Sequence, residues 1–205
     1  MRSRNAGSSA ILISIAPRTW LRSGDQSMTR AATRGARTYN AVAKILHWSI
    51  AVLITLQLGI GWTMPEIHKD TRPDGEIGWH LAIGVLIVLL IAARVVWRAV
   101  RPPTGTDSDR GAMRRLASAT HILLYLLMIV VPVLGWANAG SRDWVVGIGP
   151  LHLPRLMPAG SKLGHDVGDI HGDLAMVLAV VIGLHVAAGL YHQFIRKDDT
   201  LLRMM

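Results

Sequence analysis

His171 and His185 stand fourteen residues apart in the last apolar stretch of the chain. At 3.6 residues per turn that interval returns a helix to nearly the same face, about 21 Å further along. The hydrocarbon core of a bilayer is about 30 Å thick, so one helix would hold an imidazole toward each side of a membrane on a single stripe. A histidine inside a span is costly unless a partner satisfies it. A doubled, depth-separated pair therefore asks for partners at two heights.

The elements that position these rings are four long apolar runs. The chain has 205 residues, is 51% hydrophobic, and holds a single Phe among many Leu, Ile, Val and Ala. Runs at residues 45–64, 79–100, 116–139 and 170–195 each approach the twenty or so residues a spanning helix needs. The fold class expected is an all-α membrane protein, a four-transmembrane-helix bundle. Ser49, Thr55 and Gln57 in the first run are tolerable if they face other helices, and Pro132 should kink the third. Trp48, Trp62, Trp79, Trp97 and Trp136 fall near run ends, as interfacial belts require. Lys and Arg set the orientation. Arg30, Arg34, Arg37 and Lys44 precede the first run; Arg94, Arg98, Arg101, Arg110, Arg114 and Arg115 cluster between the second and third; Arg196, Lys197 and Arg203 follow the fourth. The first intervening loop has only Lys69 and Arg72, so both termini are expected in the cytoplasm. The net charge of +9 is then topology and lipid contact, with no nucleic acid as partner.

Residues 1–37 read as an N-terminal extension without structure, and residues 38–205 as the membrane domain. The apolar run at 10–16 is too short to span and poor as a signal peptide, and Met28 is a plausible true start. The Gly- and Pro-rich segment 140–168 is expected along the outer surface. With no cysteine, c-type haem attachment, thiolate ligation and cysteine-bound iron–sulfur clusters are excluded.

Depth sorts the nine histidines. With the N-terminus inside, His47 lies near the cytoplasmic end of the first helix and His80 near the outer end of the second. His171 lies near the outer end of the fourth and His185 toward its cytoplasmic half. Depth pairs His47 with His185 and His80 with His171, and each pair suits the two axial positions of one haem iron. Both positions filled means electron transfer rather than oxygen activation. Gly84 and Gly189, one turn beyond His80 and His185, would let backbone approach a flat macrocycle, or simply serve helix packing. Arg94, fourteen residues after His80, has two readings: a partner for the inner haem's propionates or a positive-inside anchor. His121, at about the depth of His47, has three: a competing ligand of the inner haem, a hydrogen-bond partner for a quinone headgroup, or an ordinary interfacial histidine. His192 is expected to snorkel, and His68, His152 and His165 read as surface residues of outer loops. Arg142, Arg155 and Lys162 in the outer loop are a weak lure for an anion.

The AKILHW opening of the first run, GWHLAIG in the second, the spaced pair in the fourth and the tail GLHVAAGLYHQFIRKDDTLLRMM together resemble the bacterial cytochrome b561 family. The resemblance runs from about Thr38 to Met205. It implies a di-haem b-type cytochrome of the bacterial inner membrane, with His47, His80, His171 and His185 as axial ligands, exchanging electrons with the quinone pool. It also implies superoxide as a candidate outer-side donor, which would make the chain a superoxide:ubiquinone-type oxidoreductase. Two alternatives stand beside this. One is a haem b anchor subunit of a larger hydrogenase or formate dehydrogenase, fed by a periplasmic electron-donor subunit. The other is a haem-free transporter relaying protons or metal ions, which has poorer support because only Asp173 approaches the interior of the fourth run.

Overall fold

The computed structural model describes residues 41–68, 70–102 and 111–197. The extension at 1–37, with Met28, Arg30, Arg34 and Arg37, lies outside the described residues, as do Lys69, Arg110 and Arg203.

Four helices form: α1 Ala41–Thr63, α2 Gly75–Val100, α3 Ala112–Ser141 and α4 Lys162–Tyr191, the last running into a π-helical turn, His192–Arg196. All four are long and apolar enough to cross a membrane, and the protein is a four-helix membrane bundle. At 1.5 Å per residue even α1, with 23 residues, reaches about 34 Å. Their ends follow local chemistry. Pro65 follows α1 and cannot continue its hydrogen-bond ladder. Asp74 occupies the N-cap of α2, Glu76 its first turn and Arg98 its last turn, each complementing the helix dipole.

The fourth helix starts eight residues earlier than its apolar run, and the reason is capping. Ser161 Oγ accepts a hydrogen bond from the Gly164 amide at 3.2 Å, and Lys162 binds Asp166 one turn on at 2.8 and 3.0 Å. A capped, ion-paired first turn is helical without being apolar. His165 therefore sits on the first turns of α4, exposed, and not in a loop.

Each antiparallel hairpin, α1–α2 and α3–α4, packs closely within itself, while the two hairpins meet mainly along α2 and α3. Ile50, Ile54, Ile87 and Ile91 form the core of the first hairpin, and Leu124, Leu127, Val131, Leu178 and Val181 that of the second. Met128 and Ile182 of the second hairpin reach across to the first. The remaining apolar surface faces outward: Val52, Ile122 and Leu184 are each about two-thirds exposed, as lipid contact requires.

Two polar expectations resolve differently. Gln57 does face a neighbouring helix, donating from Nε2 to the His80 carbonyl at 2.9 Å. Thr55 is exposed and satisfied within its own helix, donating to the Ala51 carbonyl at 2.9 Å.

The segment after α3 folds as a cap. A two-residue β-hairpin pairs β1 (Gly147–Ile148) with β2 (Leu151–His152), turning at Gly149 with φ +53°. Trp144 and Val146 are buried with Ile77, Val85 and Ala139. Trp144 Nε1 donates to the Thr71 carbonyl at 3.2 Å and Trp136 Nε1 to the Pro154 carbonyl at 2.9 Å. The cap thus joins both inter-helix loops at this end of the bundle.

Candidate functional site

The 3.6-residue period turns His171 and His185 to one stripe of α4, and the antiparallel hairpin α1–α2 offers a histidine at each of those two heights. The His47 and His185 ring centres lie 6.4 Å apart, with planes at 80°. His80 and His171 lie 6.0 Å apart, with planes at 82°. All four are half-buried.

Those spacings can be tested against a haem. Imidazoles on opposite sides of one iron need ring centres about 6 Å apart, from two metal–nitrogen bonds of about 2 Å and roughly 1 Å from each nitrogen to its ring centre. Both observed values fit. Among the described residues no group of three or more His, Cys, Asp or Glu side chains is placed to hold a bare metal ion. Pairs are what a macrocycle needs, since its own nitrogens fill the other four positions.

The two pairs are braced differently. His171 Nδ1 lies 2.8 Å from the Val131 carbonyl. A carbonyl only accepts, so Nδ1 carries the proton and Nε2 keeps the lone pair a metal takes. Gly135, one turn further along α3, leaves room for that ring: a Cβ there would stand 2.9 Å from His171 Cε1 and 3.0 Å from Nδ1. On the other side, a Cβ at Gly61 would lie 3.4 Å from His80 Cε1. The backbone of His80 is held by Gln57, while its Nδ1 is buried without a hydrogen-bond partner among the described residues. A buried imidazole nitrogen left unpartnered is costly, and a metal would relieve it if coordinated there.

At the other height a third ring is present. His121 of α3 lies 5.4 Å from His185, with planes at 70°. His121 thus stands nearer to His185 than His47 does, and it is exposed. Two of the three Arg94 nitrogens bond within the protein: Nη1 donates to the Ala43 carbonyl at 2.9 Å and Nε to the Tyr125 hydroxyl at 3.2 Å. It clasps α1, α2 and α3 together one turn from His47, a role neither sequence reading contained.

Other expected positions are plainer. His68, His152 and His165 are exposed. Gly84 faces the Gln57 amide, 3.4 Å from where its Cβ would be, an ordinary contact distance on the α1–α2 interface. The outer cations are largely answered locally: Arg155 pairs with Asp143 and Lys162 with Asp166, while Arg142 lies over the Trp144 ring at 5.6 Å and donates to Asn138. Gly61, Gly135 and the Val131 carbonyl were missed from sequence. The PVLG run at 132–135, a Pro with a Gly three residues on in the third helix, is the signal that could have drawn attention.

Residues 38–205 match the family model described as prokaryotic cytochrome b561. Among similar proteins, cytochrome b561 homolog 2 of Escherichia coli is 28% identical, over 84% of this chain and 94% of its own length. The probable superoxide oxidase CybB of Yersinia pestis is 29% identical, over 82% of this chain and 96% of its own. Cytochrome b562 of Cereibacter sphaeroides is 30% identical, over 82% and 94% respectively. Membership sets the haem-free transporter reading aside. The chain belongs to the prokaryotic cytochrome b561 family, and is a multi-pass protein of the bacterial inner membrane that transfers electrons with haem b.

Proposed function

We propose that this chain binds two haem b groups, one between His80 and His171 and one between His47 and His185, and links a donor outside the membrane to the quinone pool. The observation that carries the reading is the pairing itself. Two imidazole pairs face each other at ligand spacing, at two heights of one helix. His47 with His185 and His80 with His171 would each hold one haem from two sides, and a group so held would supply single-electron transfer rather than oxygen chemistry.

Charge supports the direction in which the bundle sits. Lys44, Arg98, Arg101, Arg114, Arg115, Arg196 and Lys197 gather at the end where α1 begins and α4 finishes. The capped end carries Arg72, Arg142, Arg155 and Lys162. Positive-inside places the His47–His185 pair on the cytoplasmic side, with both termini. His121, exposed beside His185, offers a hydrogen-bonding ring to a quinone headgroup arriving from the bilayer. Arg94 keeps Nη2 for a propionate of the inner group while its other nitrogens brace the helices. Superoxide as the outer donor rests on the name of the Yersinia relative. The pairing of Arg155 and Lys162 with carboxylates leaves little uncompensated charge there to steer an anion.

The test is a reduced-minus-oxidised spectrum of the purified protein with haem counted per chain. Two per chain are expected. His80→Ala or His171→Ala should each remove one, and His47→Ala or His185→Ala the other. A colourless preparation from haem-replete cells, or loss of the same haem on His47→Ala and His80→Ala, overturns the assignment. A stoichiometric extra subunit retained on purification would favour the anchor-subunit reading.

A further inference from the structure

We propose that Gly135 is a positioning residue for His171, and that the turn Val131–Gly135 of α3 fixes the ring that the outer haem takes as its ligand. The inference rests on the ligand reading above. Two contacts hold the ring from one helical turn. The Val131 carbonyl sits 2.8 Å from Nδ1, and the bare Cα of Gly135 lies against the edge formed by Cε1 and Nδ1. A methyl at 135 would stand 2.9 Å from Cε1, 3.0 Å from Nδ1 and 3.6 Å from Nε2. Carbon atoms in van der Waals contact prefer about 3.5–4.0 Å. The ring must then move, and it cannot move freely: retreat from the methyl lengthens the Nδ1–carbonyl hydrogen bond, and rotation turns Nε2 away from His80.

The consequence runs against intrinsic propensity. Alanine for glycine normally favours a helix, and at Gly172 and Gly183 of α4, where an added Cβ meets nothing within 4 Å, it should be harmless. At Gly135 the same change should cost the outer haem its ligand geometry. The hydrogen bond at Nδ1 makes the imidazole a stronger donor, which favours ferric iron. Weakening it should raise the outer midpoint potential. The inner pair, on another turn of α4, should be untouched.

The experiment compares wild type, Gly135→Ala, Gly172→Ala and Gly183→Ala by haem content, EPR of the oxidised protein and redox titration. The expected result is that in Gly135→Ala alone one of two low-spin signals is lost, or shifts its g values with a raised midpoint, while the other stays. Two unchanged signals in Gly135→Ala overturn the proposal. Should Gly135→Ala lose both haems through misfolding, the double variant Gly135→Ala/His171→Ala is compared with His171→Ala. If the clash with the ring is the cause, the double variant holds its inner haem as well as His171→Ala does; if it loses that haem too, the effect is general packing and the proposal fails. A wild type with no haem, or one whose haem survives His171→Ala, overturns the ligand reading instead.

Discussion

Arg94 lets charge and packing be separated in one pair of variants. Its Nη1 reaches the carbonyl of Ala43, four residues before His47, and its Nε the hydroxyl of Tyr125. Helical side chains lean toward the N-terminus, so the His47 ring lies on the side of that carbonyl; an order-of-magnitude charge-to-iron separation there is ~10 Å. One charge at that distance, with an effective dielectric near 20, is worth about 1.7 kcal/mol. For a one-electron couple that is about 70 mV. A nearby cation favours the reduced form, so Arg94→Met should lower the inner midpoint by about that much and leave the outer one in place. Arg94→Lys keeps the charge, and its inner midpoint should stay within about 20 mV of wild type on the same Coulomb argument. Lysine lacks the planar fork, however, and cannot serve both acceptors in that geometry. Both variants should therefore lose the three-helix clasp. With interhelical hydrogen bonds in membranes averaging about 0.6 kcal/mol and charged ones reaching about 1.5–3, loss of both bonds costs about 1–6 kcal/mol, read as a lower Tm in detergent. The assay is a potentiometric titration beside a thermal melt. Equal inner midpoints for Arg94→Met and Arg94→Lys would refute the electrostatic part, and unchanged melting in both would refute the clasp.

Three further outcomes are expected. His121→Ala should retain both haems if His47 and His185 hold the inner one, and should weaken quinone reduction; haem content and quinone-dependent reoxidation measure this. Ring planes at 80° and 82° should give both oxidised haems strongly anisotropic low-spin EPR signals, whereas ordinary rhombic spectra would mean the rings lie nearly parallel when loaded. Ser161→Ala should remove the α4 cap at a cost of about 1 kcal/mol, seen as faster amide exchange over residues 162–166 with both haems kept.

What could be read from the sequence was whatever a single helix encodes. The fourteen-residue interval on α4 and the apolar runs fix which residues share a height, so the pairing of His47 with His185 and His80 with His171 was legible before any coordinates. Contacts that depend on how one helix presses on another were not. Val131 and Gly135 carry no polar side chain, and their importance arises only because α3 brings a carbonyl and a bare Cα to a ring on α4. Arg94 read as an anchor or propionate partner because its acceptors, a backbone carbonyl and a tyrosine hydroxyl on other helices, leave no mark in a one-dimensional pattern. The start of α4 was placed late because a hydropathy window weighs apolarity, while Ser161, Lys162 and Asp166 build the first turn from hydrogen bonds and charge.

The seam between the two hairpins is where a bound haem would add to the stability of the bundle. Each hairpin has its own aliphatic core, and the join between them is made by α2 against α3, by Met128 and Ile182, by the Arg94–Tyr125 hydrogen bond and by the Trp144 cap. A group that binds only the closed arrangement stabilises it by mass action. Haem held by a histidine from each hairpin would therefore raise the melting temperature of the bundle.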